Sequence, residues 1–103
     1  MADPLLHQGI EEFNRGHFFE AHELWEEAWN NVVGEEKRFY QGLVQIAAGY
    51  HKLSLAQHNG ARKLLERGNQ TLSGFPSDYA GIDLDSFLRL VAGSLRQLNT
   101  KKA

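Results

Sequence analysis

The chain of 103 residues contains no cysteine. That absence excludes a disulfide framework, a thiolate metal site and a cysteine nucleophile, and it fits a reducing compartment. The first residues, Met1-Ala2-Asp3-Pro4, have neither a basic nor an apolar leader pattern. No secretory signal is therefore expected, and the cytoplasm is the expected location. No uninterrupted apolar run approaches the length of a membrane span, so no membrane partner is expected. No short segment alternates apolar and polar residues as a strand does, which argues against sheet. There is no phosphate-cradling glycine loop, serine elbow or dinucleotide fingerprint. Nor is there an excess of positive charge: the formal net charge is -2, against nucleic acid as the main partner.

That small net charge hides an asymmetry. Of the first 36 residues, nine are acidic and only Arg15 is basic, whereas the remainder holds ten bases and four acids. The plain reading is attraction between the two halves, within one fold or across a homodimer. A hydrophobic fraction of 42% is enough for one packed core, so residues 1–103 read as a single helical domain.

The apolar spacing predicts an all-α, compact bundle of about five helices. The first covers residues 3–15, with Asp3 as N-cap, Pro4 at the first helical position and Gly16 as the left-handed residue after its end. The second covers residues 18–32 and is closed by Gly34. The third opens on Glu35 and Glu36, acids suited to a helix N-terminus, and runs to about residue 57. Asn59 is the expected cap of the fourth, which ends near residue 73. Pro76 disfavours helix at Phe75 and marks a loop. A closing helix at about residues 83–99 carries a stripe of Leu84, Phe87, Leu88, Val91, Leu95 and Leu98. Residues 100–103 are expected to fray.

The third helix is apolar nearly all round, which predicts that it is the central one, contacted by the first, second and fourth. Its narrow polar stripe holds Arg38, Gln41, Gln45 and Lys52, flanked by Gly42 and Gly49. Glycine weakens a helix, so close approach of another backbone or of a ligand is expected there. A weak internal repeat is also present. The small and large residues Gly9, Gly16, Ala21, Trp25 and Ala28 recur in part as Gly49, Ala61, Leu65 and Gly68, about 40 residues on, a longer period than a tetratricopeptide array has. The chain thus reads as two tetratricopeptide-like helical hairpins plus a C-terminal helix.

The second helix carries the polar constellation that needs explaining. At about 100° per residue, Phe18, Trp25 and Val32 fall to one side of His22, Val33 and Phe19 to the other, and Trp29 almost in line with it. Glu26 falls inside the same apolar arc, one turn from His22, while Glu20, Glu27 and Asn31 lie opposite and Glu23 on the edge. Trp25 and Trp29 are both expected to be mostly buried. A carboxylate buried among them needs a partner or a proton. The bland explanation is a His22–Glu26 hydrogen bond, completed by Gln41 or Gln45 of the third helix, that fixes helix register. The alternatives are a small ligand, or a metal held by His22, Glu26 and His51. His22-Glu23-Leu24-Trp25-Glu26 differs from the zinc-protease helix in ending on Glu26 where that helix has a second histidine. Phe19 and Ala48 stand where a di-iron bundle would have glutamates.

One family resemblance covers residues 5–73. It rests on Phe13-Asn14-Arg15-Gly16-His17-Phe18-Phe19-Glu20-Ala21-His22-Glu23-Leu24-Trp25-Glu26-Glu27-Ala28-Trp29, on Phe39-Tyr40-Gln41-Gly42-Leu43-Val44-Gln45-Ile46-Ala47-Ala48-Gly49-Tyr50-His51-Lys52 and on Asn59-Gly60-Ala61-Arg62. These resemble a prokaryotic family of unknown function, number 309 of the domain-of-unknown-function series. Its hallmark is His, three residues, Glu, two residues, then Trp or Tyr, which His22, Glu26 and Trp29 match. The resemblance implies an all-helical fold and a hallmark suggested to bind metal, with no reaction assigned. The candidate site is accordingly His22, Glu26, Trp29, Gln41, Gln45 and His51. Two functional classes follow: a module binding a small molecule or a protein through a buried His/Glu cluster, or a metal-binding protein or metal-dependent enzyme using zinc, manganese or iron.

Overall fold

The computed structural model describes residues 3–100. They form five α-helices in the expected order: α1 (Pro4–Asn14), α2 (Phe18–Asn30), α3 (Gly34–Ser54), α4 (His58–Leu72) and α5 (Leu84–Thr100). A single 3₁₀ turn at Tyr79–Gly81 follows the Pro76 loop. No strand occurs among the described residues.

The helix starts follow local chemistry. The Asp3 carboxylate accepts the Leu5 N–H at 2.9 Å, and Pro4 occupies the first turn, where its missing N–H costs nothing. The Asp83 carboxylate caps α5 by accepting the Ser86 N–H at 3.1 Å. Other boundaries shift by a few residues. Helix α2 stops at Asn30 and the turn falls at residues 31–33, so Gly34, at φ +67°, opens α3 rather than closing α2. Helix α3 stops at Ser54 because Ala56 adopts φ +60°. Helix α4 begins at His58, and Asn59 does not cap it; its side chain accepts instead from Arg62 at 3.0 Å. Helix α5 runs on through Thr100, and residues 101–103 lie outside the described residues, as do Met1 and Ala2 of the leader reading.

Helix α3 is the central element. Phe39, Tyr40, Leu43, Ile46, Ala47 and Tyr50 are all buried along it. It packs closely on α2 and α4, while α1 packs on α2 and reaches α3 through side chains: the Phe13 ring meets Tyr50 edge-on at 5.4 Å. Close approach explains the α3 glycines, and the approaching element is α4. A Cβ on Gly42 would lie 2.6 Å from Leu72, and one on Gly49 would lie 2.8 Å from Leu65. Helix α5 closes the bundle, with Phe87 against Phe13 at 5.2 Å and Ser94 hydrogen-bonded to the Tyr50 hydroxyl at 2.7 Å.

The α1–α2 and α3–α4 hairpins share the geometry of their turns and one packing contact. Gly16 (φ +82°) and Ala56 (φ +60°) make the same left-handed turn. The following residues, His17 and Gln57, share φ near -90° with ψ of 71° and 73°. Trp25 packs over Gly9 as Leu65 packs over Gly49.

Candidate functional site

The core face of α2 is centred on Ala21, Trp25 and Ala28, all buried. Trp25 is 1% exposed, and its indole N–H donates to the Leu6 carbonyl at 3.2 Å. The residues beside that face form the outer edge of the helix, where α2 meets α3. They recur at helical spacing as Phe19, His22, Glu26 and Trp29. Along the facing edge of α3 stand Lys37, Gln41, Val44, Gln45 and His51. The two rows make a seam between antiparallel helices.

Aromatic contacts mark one end of the seam. Phe19, 49% exposed, stacks on His22 at 6.2 Å and packs on His51 at 5.4 Å, so its ring spans the two histidines. Lys37 holds the other end: its ammonium donates to the Trp29 carbonyl at 2.9 Å and sits 3.7 Å from the Trp29 ring centroid. Between the ends, Glu26, Trp29, Gln41, Val44 and Gln45 line a small cavity of about 210 Å³.

The seam also gathers unsatisfied polar atoms. His22 Nδ1, Trp29 Nε1 and Gln45 Oε1 are withdrawn from solvent and carry no hydrogen bond; among the described residues only Arg62 Nε shares that condition. The Glu23 carboxylate lies 3.8 Å from His22 Nδ1, too long for a hydrogen bond.

The structure corrects the expectation of a buried cluster. Glu26 is exposed, His22, Trp29 and His51 are half-buried, Gln41 is exposed and Gln45 half-buried. The reason is the width of the buried arc. The α2 face covered by α1 and α3 ends short of Phe19 and Trp29, so these aromatics sit at the rim, and Glu26 between them reaches water. Its carboxylate needs no buried partner. Donor atoms of His22, Glu23 and Glu26 lie within 4.8 Å of one another, and no other such group of His, Asp and Glu forms among the described residues. Glu23 thus joins the pair, while His51 stands across the Phe19 ring from it. The sequence pattern does not single out Phe19, Glu23 or Lys37 as site residues. Glu23 sits beside His22 and three residues before Glu26, which is the available signal, whereas the contact of Phe19 with His51 depends on how α2 and α3 register.

Fold and seam define a small all-α protein whose polar edge lies between its second and third helices. The chain belongs to the family Domain of unknown function (DUF309), whose model matches residues 6–64 and so spans the whole seam. It is similar to an uncharacterised protein of Aquifex aeolicus (strain VF5), 28% identical over 81 residues; the match covers 78% of this chain and spans 24% of the Aquifex protein's length. It is also similar to the crystal structure of a conserved hypothetical protein from Thermus thermophilus. There the identity is 27%, the TM-score 0.78, and the match covers 96% of this chain and 99% of the other.

Proposed function

We propose that this protein is a binding module, and that the α2–α3 seam takes a small ligand carrying both a carboxamide-like group and a positive charge. The observation behind this reading is the alignment of three unsatisfied buried polar atoms, His22 Nδ1, Trp29 Nε1 and Gln45 Oε1, along one seam. A buried polar atom without a partner costs about 1–3 kcal/mol, so the two of these that line the cavity, Trp29 Nε1 and Gln45 Oε1, favour an occupant that partners both. An amide supplies an acceptor for the Trp29 N–H and donors for Gln45 Oε1, both of which line the cavity with Glu26. The exposed Glu26 carboxylate favours an ammonium at the mouth. A volume of about 210 Å³ restricts the occupant to a few heavy atoms or to the end of a larger molecule.

Glycinamide is the simplest probe with both groups. Its titration into ¹⁵N-labelled protein should shift the Trp29 indole resonance and leave that of Trp25, already bonded to Leu6, in place. Gln45→Leu should abolish the shift while the fold persists. Equal or absent movement of the two indole signals would overturn the proposal.

A second reading is favoured by the convergence of His22, Glu23 and Glu26 within 4.8 Å. One imidazole and two carboxylates suit zinc, manganese or iron(II), and three protein ligands leave a coordination position open. An ion held there would supply Lewis acidity; the three side chains would bind it, and the half-buried His22 would anchor it. Calorimetric titration with each metal should then show binding that His22→Ala and Glu26→Gln both abolish with the helix content unchanged. No heat of binding for any of the three metals removes this reading.

A further inference from the structure

A larger cavity, about 310 Å³, lies between α1, α2 and the start of α5, and shares no residue with the seam. Its wall is aromatic and aliphatic: Ile10, Phe13, Trp25, Phe87 and, at the rim, Leu90, which is 53% exposed. Phe13 packs against Phe87 at 5.2 Å and against Trp25 at 6.0 Å, so the three rings form the packed floor beneath the space, and Ile10, Phe87 and Leu90 are its accessible wall. An apolar space of this size bordered by a few polar groups has the character of a small-molecule site.

The polar groups are confined to one stretch of the rim: Asn14, Asp83 and Ser86. Asp83 carries the charge. Its carboxylate accepts from the Ser86 N–H at 3.1 Å and the Ser86 hydroxyl at 2.7 Å, and these bonds hold its pKa below the usual carboxylate range. Among the described residues it has no ion-pair partner, because the nearby Arg89 is engaged by Asp85 at 2.9 Å. Asp83 also occupies the positive end of α5, so an anionic ligand would meet a like charge where a bare helix terminus would have welcomed it.

We propose that this cavity is a second binding site, for a small hydrophobic primary amine. The apolar body seats on Ile10, Phe87 and Leu90 above the buried Phe13 and Trp25, and the ammonium pairs with Asp83 at the rim, with the Asn14 amide oxygen as a further acceptor. The ligand class is set by complementarity: an apolar wall, one unpaired carboxylate and no basic residue in the lining.

Trp25 makes the site observable. In a Trp29→Phe background it is the sole tryptophan, and its emission reports this cavity and not the seam. Titration with 2-phenylethylamine should change that emission saturably. 2-Phenylethanol, of the same shape, should bind at least fivefold more weakly, and phenylacetate more weakly still. Asp83→Asn should bring the amine to the level of the alcohol while leaving the melting temperature nearly unchanged, since asparagine caps a helix as well as aspartate does. The Trp25 indole resonance of the wild-type protein gives the same readout without the background substitution. No saturable response to the amine, equal binding of amine and alcohol, or indifference to Asp83→Asn would each overturn the proposal.

Discussion

Trp25 and Glu26 are neighbours in sequence, yet a helical wheel succeeds with one and fails with the other. Trp25 lies at the centre of the α2 apolar arc, where any packing partner covers it, and it is fully enclosed. Glu26 lies toward the edge of that arc, where exposure depends on how far α3 wraps around α2, and no single-helix pattern holds that information. Trp29 belongs to the same edge and is correspondingly half-buried. The two tryptophans should therefore respond differently to truncation. Trp25→Ala should destabilise by roughly 3–5 kcal/mol in chemical denaturation, the range for a core aromatic, and an effect below about 1 kcal/mol would show the enclosure to be wrong. Trp29→Ala should cost clearly less. Gly9→Ala tests the same contact from the other side. A Cβ there would fall 2.1 Å from Trp25 Nε1, inside any permissible contact. The substitution should destabilise by about 1–3 kcal/mol from overpacking, although alanine is the better helix former.

The paired hairpins turn an accident of composition into an experiment at the scale of the element. Both turns use the same hydrogen bonds: Gly16 and Ala56 donate to Phe13 and Leu53 at 3.0 Å, and His17 and Gln57 donate to Glu12 and Lys52 at 2.8 and 2.9 Å. The left-handed position is glycine in the first copy and alanine in the second. A left-handed L-residue pays roughly 1–2 kcal/mol, which glycine avoids at the expense of a more flexible unfolded chain. Ala56→Gly should accordingly stabilise the protein by up to about 1 kcal/mol, and Gly16→Ala should destabilise it by more than that. Equilibrium denaturation of both variants checks the signs, and a destabilising Ala56→Gly would mean that the turns are not equivalent. The contrast also explains what could be read in advance. Gly16 announced its turn, since glycine after a helix is a stop signal. Ala56 carries no such signal, so the expected α3 overran its real end. Helix existence and order came through because apolar periodicity runs the length of each helix, whereas the ends rest on single residues.

At the scale of the molecule, the periodicity of α5 told that it buries a stripe and did not tell against what. The answer lies in contacts far apart in sequence. Tyr50, on α3, stacks on Phe18 at 5.2 Å, meets Phe13 edge-on and bonds Ser94 of α5, so one phenol ties its own helix to three others. Tyr40 is likewise enclosed, and Tyr79 packs on Phe39 at 4.7 Å. All three phenols have raised pKa values. Burial is the main cause in each; Asp3 and Glu36 add negative charge near Tyr40, Glu35 and Glu36 do so near Tyr79, and the Ser94 bond partly offsets burial at Tyr50. Because the folded state disfavours the phenolate, the stability these tyrosines confer is fully present below their unfolded pKa, about 10, and is lost as pH rises from there through the folded values. With no cysteine in the chain, no thiolate confuses the titration. Phenolate absorbance should therefore appear together with the loss of helical circular dichroism above about pH 10, as one cooperative event. Tyr40→Phe should shift that alkaline transition to higher pH, since it removes the group most strongly raised. Phenolate formation near pH 10 with the helices intact would show that the tyrosines are not tied to the fold in this way.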